Sequence, residues 1–219
     1  MKIFYTFAFF GLLLSGNAVA EPTNCVSKKT LLDRAALIEQ YSRGKGSAVL
    51  YESDLVLTNH HVIEDVEKPW VFIPKLQRSI SATVVYSTPK PDIAILRLNE
   101  KVPDVEKLTL GRNVTPAQQL RFVSFPFGDK SRLGVTNALF SSNVRFSKDM
   151  KTLYFNAFLA DWAYAGDSGG PFFNCKGDVM GLNFGNLVLQ GEPEHIYGVN
   201  ARALEDALKA AGLEARRRR

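Results

Sequence analysis

Six consecutive residues, Gly166-Asp167-Ser168-Gly169-Gly170-Pro171, place a serine hydroxyl among glycines just ahead of an apolar run. Acyl transfer by serine needs the hydroxyl at a sharp turn and backbone N–H groups free to receive an oxyanion. Glycines permit both, since without a Cβ they take positive φ and let a carbonyl approach the backbone. Such a serine is inert without a base. Thr58-Asn59-His60-His61-Val62 holds two of the three histidines, after the strand-like Asp54-Leu55-Val56-Leu57, where a strand end can turn an imidazole toward a cleft. His195, beside Glu194 in a polar turn, reads as a surface histidine. The remaining requirement is a carboxylate that fixes the imidazole tautomer. Asp92 fits, because it stands at the threshold of the apolar Ile93-Ala94-Ile95-Leu96-Arg97-Leu98 and would be drawn inward with it. The serine block alone nearly settles the class against an ordinary Gly-rich hairpin turn, whereas Asp92 alone reads as a plain strand start; together they point to nucleophilic catalysis. No His-Glu-x-x-His run or cysteine–histidine cluster occurs, so neither metal nor organic cofactor is expected, although His60, His61 and Glu64 are close in sequence.

The elements that must position these residues are mostly strands. Short runs rich in β-branched residues recur between turn signals at Ser47–Tyr51, Leu55–Thr58, Trp70–Ile73, Ser81–Tyr86, Ile93–Leu98, Gln119–Phe125, Leu133–Phe140, Leu153–Phe158, Pro171–Phe173, Val179–Asn183 and Ile196–Val199. That pattern predicts an all-β sandwich or paired barrels. Residues 27–43 read as helical or irregular, because Leu31, Leu32, Ala35, Ala36, Ile38 and Glu39 fall near a 3.6 period before Gly44-Lys45-Gly46 breaks it. A C-terminal helix is expected over 201–213, with Ala203, Leu204, Ala207, Leu208 and Ala211 on one face and Gly212 at its end.

The order His, Asp, Ser resembles that of the trypsin-like serine peptidases. Leu57-Thr58-Asn59-His60-His61-Val62-Ile63 is similar to the histidine block of bacterial members, including the high-temperature-requirement proteases; Asp92-Ile93-Ala94-Ile95-Leu96 is similar to their aspartate block. In the family the catalytic histidine directly precedes the Val, which selects His61 over His60. The resemblance covers residues 44–203 and implies two six-stranded antiparallel barrels with His61, Asp92 and Ser168 as a triad between them. It also implies an oxyanion hole from the backbone N–H groups of Gly166 and Ser168. Its specificity pocket would draw on Asp161, Trp162, Tyr164, Asn183, Phe184, Gly185 and Gly198, with no cleavage preference to be read from them. No Ile-Val-Gly-Gly-like segment follows a basic cleavage site, so activation by a new N-terminus pairing with Asp167 is not expected. With one helix after the last strand and no peptide-binding domain in the sequence, a cage-forming assembly is not expected either, and a monomer is.

Residues 1–20 read as a secretory signal, with Lys2, the apolar Ile3–Leu14 and the small-x-small Ala18-Val19-Ala20. The apolar run is shorter than the ~20 residues of a spanning helix, so no lasting membrane anchor is expected. The domain reading is therefore a signal over 1–20, an N-terminal segment and candidate propeptide over 21–43, a protease domain over 44–213 and a basic tail over 214–219. Within the domain the barrels fall at about 44–112 and 113–200. Export into an oxidising compartment would permit Cys25 and Cys175 to pair, although two free thiols remain open from sequence. Removing Lys2 with the signal leaves an excess of positive charge equal to Arg216–Arg219, so the body is near neutral and no nucleic-acid partner is indicated. The chain is thus read as a secreted or periplasmic bacterial serine endopeptidase acting on proteins or peptides. The alternative is a catalytically silent protease-fold binding module.

Overall fold

A computed structural model describes residues 25–40, 43–66, 68–112, 115–144, 154–159, 163–187 and 195–217. The signal at 1–20 and the pocket candidates Asp161 and Trp162 lie outside these residues.

A short helix α1 (Lys28–Leu32), capped by Ser27 whose Oγ accepts from Thr30 N–H at 3.1 Å, leads into the first of two closed barrels. Barrel one holds β1 (Ala35–Gln40), β2 (Arg43–Leu50), β3 (Leu55–Thr58), β4 (Trp70–Ile73), β5 (Arg78–Thr88) and β6 (Ile93–Leu98) in the antiparallel order β1-β2-β3-β6-β5-β4, with a short helix α2 (His60–Ile63) after β3. Barrel two holds β7 (Gln119–Ser124), β8 (Gly134–Val144), β9 (Tyr154–Leu159), β10 (Pro171–Phe173), β11 (Val179–Leu187) and β12 (His195–Asn200), ordered β10-β11-β12-β9-β8-β7. Helix α3 (Ala201–Ala210) follows. Asn200 Oδ1 accepts Ala203 N–H at its start, and Gly212, at φ +72°, ends it with bonds from Gly212 N–H to Lys209 O and Leu213 N–H to Leu208 O.

The expected two-barrel all-β architecture is therefore present, and its core explains why the strands read as unbroken apolar runs. Alternate residues of a strand face opposite ways. In β3 and β6, Val56, Ala94, Leu96 and Leu98 point into barrel one, whereas Leu55, Leu57, Ile93 and Ile95 join Val123, Phe125, Phe173 and Leu182 in a core shared by the two barrels. A smaller cluster with Phe122, Phe140, Phe172 and Met180 fills barrel two.

The same double burial corrects the reading of 27–43. Only Lys28–Leu32 is helical; Ala35–Gln40 is the first strand of barrel one, so the barrel begins before Gly44. Ala35 and Leu37 face the shared core while Ala36 and Ile38 face the barrel interior, and a strand buried on both faces shows no two-residue period that would separate it from a helix. Removing 21–43 as a propeptide would remove this strand. It would also remove Cys25, which forms a disulfide with Cys175 at a Cα–Cα distance of 4.5 Å.

The basic tail is not simply solvated. Leu110 N–H donates to Arg216 O at 2.8 Å, Arg216 N–H donates to the Tyr51 hydroxyl at 2.9 Å, and Arg217 pairs with Glu205 on α3. Residues 216–217 thus lie along the segment that joins the barrels.

Candidate active site

β3 ends at Thr58, and α2 starts with the two histidines. They diverge at once. His60 Nδ1 lies 2.6 Å from Ser87 Oγ on β5, whereas His61 is held twice by one carboxylate: its backbone N–H donates to Asp92 Oδ1 at 2.9 Å and its Nδ1 lies 2.7 Å from Asp92 Oδ2. A ring nitrogen so close to a carboxylate carries the proton there, which leaves Nε2 as the basic nitrogen.

Asp92 is buried, and it precedes β6 as the sequence requires. Its φ is +72°, a conformation that Asp tolerates better than most residues, and Asn59 Nδ2 donates to its carbonyl at 2.9 Å. The residue just before the histidines therefore also fixes the backbone of the carboxylate that holds His61.

The serine turn is built on its glycines. Gly166 has φ +95° and Gly169 has φ +82°. Asp167 Oδ2 accepts Tyr164 N–H at 2.7 Å, so Asp167 braces the turn from within. Gly169 N–H donates to Asn183 O, and Asn183 N–H donates to Gly170 O, each at 2.8 Å, which ties the turn to β11. Among the described residues, Ser168 Oγ and the N–H groups of Gly166 and Ser168 have no hydrogen-bond partner.

Glycine also brings the serine turn against barrel one. A Cβ on Gly46 would lie 2.7 Å from a Val62 methyl and 3.0 Å from Ser168 O, so only a glycine lets β2 separate α2 from the serine backbone by so little. The Phe184 ring stands edge-on to the His61 imidazole at 6.2 Å between centroids.

Two positioning residues went unread in the sequence. Ser47, fully buried on β2, donates to Gly166 O from both its N–H at 2.9 Å and its Oγ at 2.7 Å, and its Oγ accepts from Phe125 N–H at 2.9 Å. Phe127 donates its N–H to Ala165 O, and its exposed ring lies tilted by 42° against that of Tyr164, with 4.8 Å between centroids. Ser47 stands directly after Gly44-Lys45-Gly46, and only that glycine spacing hinted at a close approach. Nothing local marked Phe127.

Of the pocket candidates, Tyr164 is exposed next to the serine turn, and Asn183, Phe184 and Gly185 lie on β11 beside it. Gly198 on β12 pairs with Asn183. A Cβ on Gly185 would meet nothing within 4 Å, so that position borders open space. No group of three His, Cys, Asp or Glu suited to a metal ion occurs among the described residues.

Comparison with known proteins identifies the family. Residues 46–182 match the model of the trypsin-like peptidase domain family. A protein named probable periplasmic serine endoprotease DegP-like, from Pseudomonas putida strain GB-1, is 30% identical over 149 residues, covering 66% of this chain and 30% of the relative. The mitochondrial serine protease HTRA2 of Bos taurus is 33% identical over 147 residues, covering 65% of this chain and 31% of its own. The chain thus spans about a third of the length of the curated relatives it matches. Among solved structures, the active form of the Rv3671c protease from M. tuberculosis superposes with a TM-score of 0.70 at 20% identity, covering 86% of this chain and 85% of that one. The serine endoprotease from Yersinia pestis gives 0.67 at 19% identity, covering 85% and 66%. These likenesses carry the fold; the match over 46–182, which spans all three motif blocks, shows that the chain belongs to the trypsin-like peptidase family.

Proposed function

We propose that this protein is an exported serine endopeptidase that hydrolyses peptide bonds in protein or peptide substrates, with Ser168 as nucleophile, His61 as general base and then acid, and Asp92 as its orienting carboxylate. The observation that carries the reading is the double hold of Asp92 on His61, from backbone and ring at once. A carboxylate at Nδ1 favours the tautomer that leaves Nε2 as the base, as a serine nucleophile requires.

In the first half-reaction Nε2 of His61 takes the Ser168 proton as Oγ attacks the scissile carbonyl. The resulting oxyanion is received by the N–H groups of Gly166 and Ser168, for which no acceptor occurs among the described residues. His61 then gives the proton to the leaving amine, and water attacks the acyl-enzyme with His61 again as base. Asp92 stabilises the imidazolium without taking its proton. Residues from one chain supply all these groups, so the reading needs no second copy. Tyr164, Asn183, Phe184, Gly185 and Gly198 frame the substrate pocket in this account, with Asp161 and Trp162 as its remaining candidates. The names of the relatives and the signal-like residues 1–20 support a periplasmic or secreted setting.

The test is labelling of purified mature protein with a fluorophosphonate probe, with casein digestion alongside. Wild type should label and digest, and Ser168→Ala and His61→Ala should do neither. Folded wild type that stays unlabelled would transfer the reading to a silent binding module.

A further inference from the structure

The loop between β7 and β8, residues 125–133, contains none of the proposed catalytic groups, yet barrel one grips it at three points. Phe125 N–H is bound by Ser47 Oγ at 2.9 Å. Gly128 lies backbone to backbone against Gly44, so tightly that a Cβ on Gly44 would fall 2.1 Å from Gly128 O. The third grip is ionic: Lys130 Nζ lies 2.7 Å from Glu39 Oε1, a charge pair rather than an aligned hydrogen bond.

Glu39 is an unusual partner. It sits on β1 with 2% of its surface exposed, and its other oxygen accepts from Ser79 Oγ. A carboxylate buried to that depth is costly unless opposite charge compensates it, and here the charge comes from the other barrel. The Lys130 ammonium also lies 4.4 Å from the centre of the Phe72 ring.

Between these grips Phe127 has φ +61°, a left-handed conformation that is strained for a bulky side chain. In that conformation its N–H reaches Ala165 O. The Ala165–Gly166 peptide is trans, so once its carbonyl is bound to Phe127 its N–H points the opposite way. The direction of the Gly166 N–H is thus set by a residue the loop must keep strained.

We propose that Glu39 and Lys130 are a positioning pair that holds Phe127 in this conformation and thereby keeps the Gly166 N–H turned for the oxyanion. The proposal rests on the reading of Gly166 as an oxyanion donor. Neither residue touches substrate. Without the pair, Phe127 relaxes toward negative φ, its N–H leaves Ala165 O, and the 165–166 peptide is free to rotate. Complete loss of one oxyanion donor lowers kcat by roughly 10²–10³. Partial loss of orientation should lower it by about 10–100-fold, with little change in KM because the donor acts mainly in the transition state.

The experiment compares wild type with Lys130→Met, Lys130→Arg and the double variant Glu39→Gln/Lys130→Met, which leaves no buried charge unpaired. Amide hydrogen exchange is followed at Phe127 and, as a control, at Leu96 in the middle of β6, and kcat and KM are measured on a fluorogenic peptide that wild type cleaves. Both methionine variants should lose Phe127 protection at least tenfold and kcat by about 10–100-fold, with KM and Leu96 unchanged and Lys130→Arg close to wild type. Unchanged Phe127 protection overturns the proposal, as does a joint loss at Phe127 and Leu96, which would make the pair a general prop of the fold. Lost protection with full kcat overturns it too. A wild type that shows Phe127 protected but neither labels nor cleaves overturns the protease reading instead, and the exchange data then still decide whether the pair holds the loop.

Discussion

Ser47 holds Gly166 by two bonds to one atom: its N–H and its Oγ both donate to the Gly166 carbonyl, at 2.9 and 2.7 Å. A residue of barrel one thereby fixes the glycine that opens the serine turn of barrel two. Ser47→Ala removes the Oγ bond and also strands Phe125 N–H, which Oγ now accepts. A buried donor left unpaired costs about 1–3 kcal/mol, so the variant should unfold at lower urea. Its kcat should fall about 10–100-fold, short of the loss of a whole oxyanion donor. Urea titration with single-turnover kinetics separates the two effects.

Asp92→Asn keeps the size of the side chain and changes its hydrogen-bond character. An amide can present its NH2 to His61 Nδ1, which would move the imidazole proton to Nε2 and disable the base. The expected fall in kcat is about 10⁴-fold, the size documented for this substitution in a Ser-His-Asp triad. The circular dichroism spectrum should stay that of wild type. A fall of less than tenfold would count against Asp92 as the orienting carboxylate.

The disulfide joins residues 150 positions apart, and closing so long a loop removes about 5 kcal/mol of denatured-chain entropy in the simplest estimate. Cys25→Ser/Cys175→Ser should therefore lower stability by about 2–5 kcal/mol in denaturant titrations. Neither cysteine is among the proposed catalytic residues, so the folded fraction should retain its kcat. Turnover measured well below the unfolding midpoint checks that separation.

Tyr51 is fully buried, and burial pushes its phenol above the ordinary value of 10.0, against a smaller opposing effect from the Arg216 N–H and charge. A group whose folded pKa is raised adds stability that is complete below its unfolded pKa and is lost as pH climbs through the folded one. Above about pH 10 the unfolded chain ionises this tyrosine first, so stability should decline with rising pH. In Tyr51→Phe that alkaline decline should be shallower, although the variant starts less stable because Arg216 N–H loses its acceptor. Urea midpoints from pH 8 to 11 test both points.

How much could be read beforehand followed from how local each cause is. The placement of Ser168 in a glycine turn, of His61 at the end of β3 and of Asp92 at the buried start of β6 was legible because each is marked by its immediate sequence neighbours. Ser47, Phe127 and Glu39 were not. Their roles arise from contacts with Gly166, Ala165 and Lys130, far along the chain and, for Ser47 and Glu39, in the opposite barrel, and a buried serine or an exposed phenylalanine carries no local mark of that. β1 was misread for a different reason: burial on both faces erases the alternation by which a strand announces itself. Arg216 reads in the sequence only as part of a basic tail, because nothing in a run of arginines foretells a backbone bond to Leu110.

The core shared by the barrels has a thermodynamic consequence. Leu57 and Ile95 from one barrel, with Phe125 and Leu182 from the other, belong to a single apolar cluster, so neither barrel can open without exposing the side chains of its neighbour. Two folded bodies on a hinge would melt in two steps. Here the two halves stand or fall as one body, and heat should take them together, in one calorimetric transition.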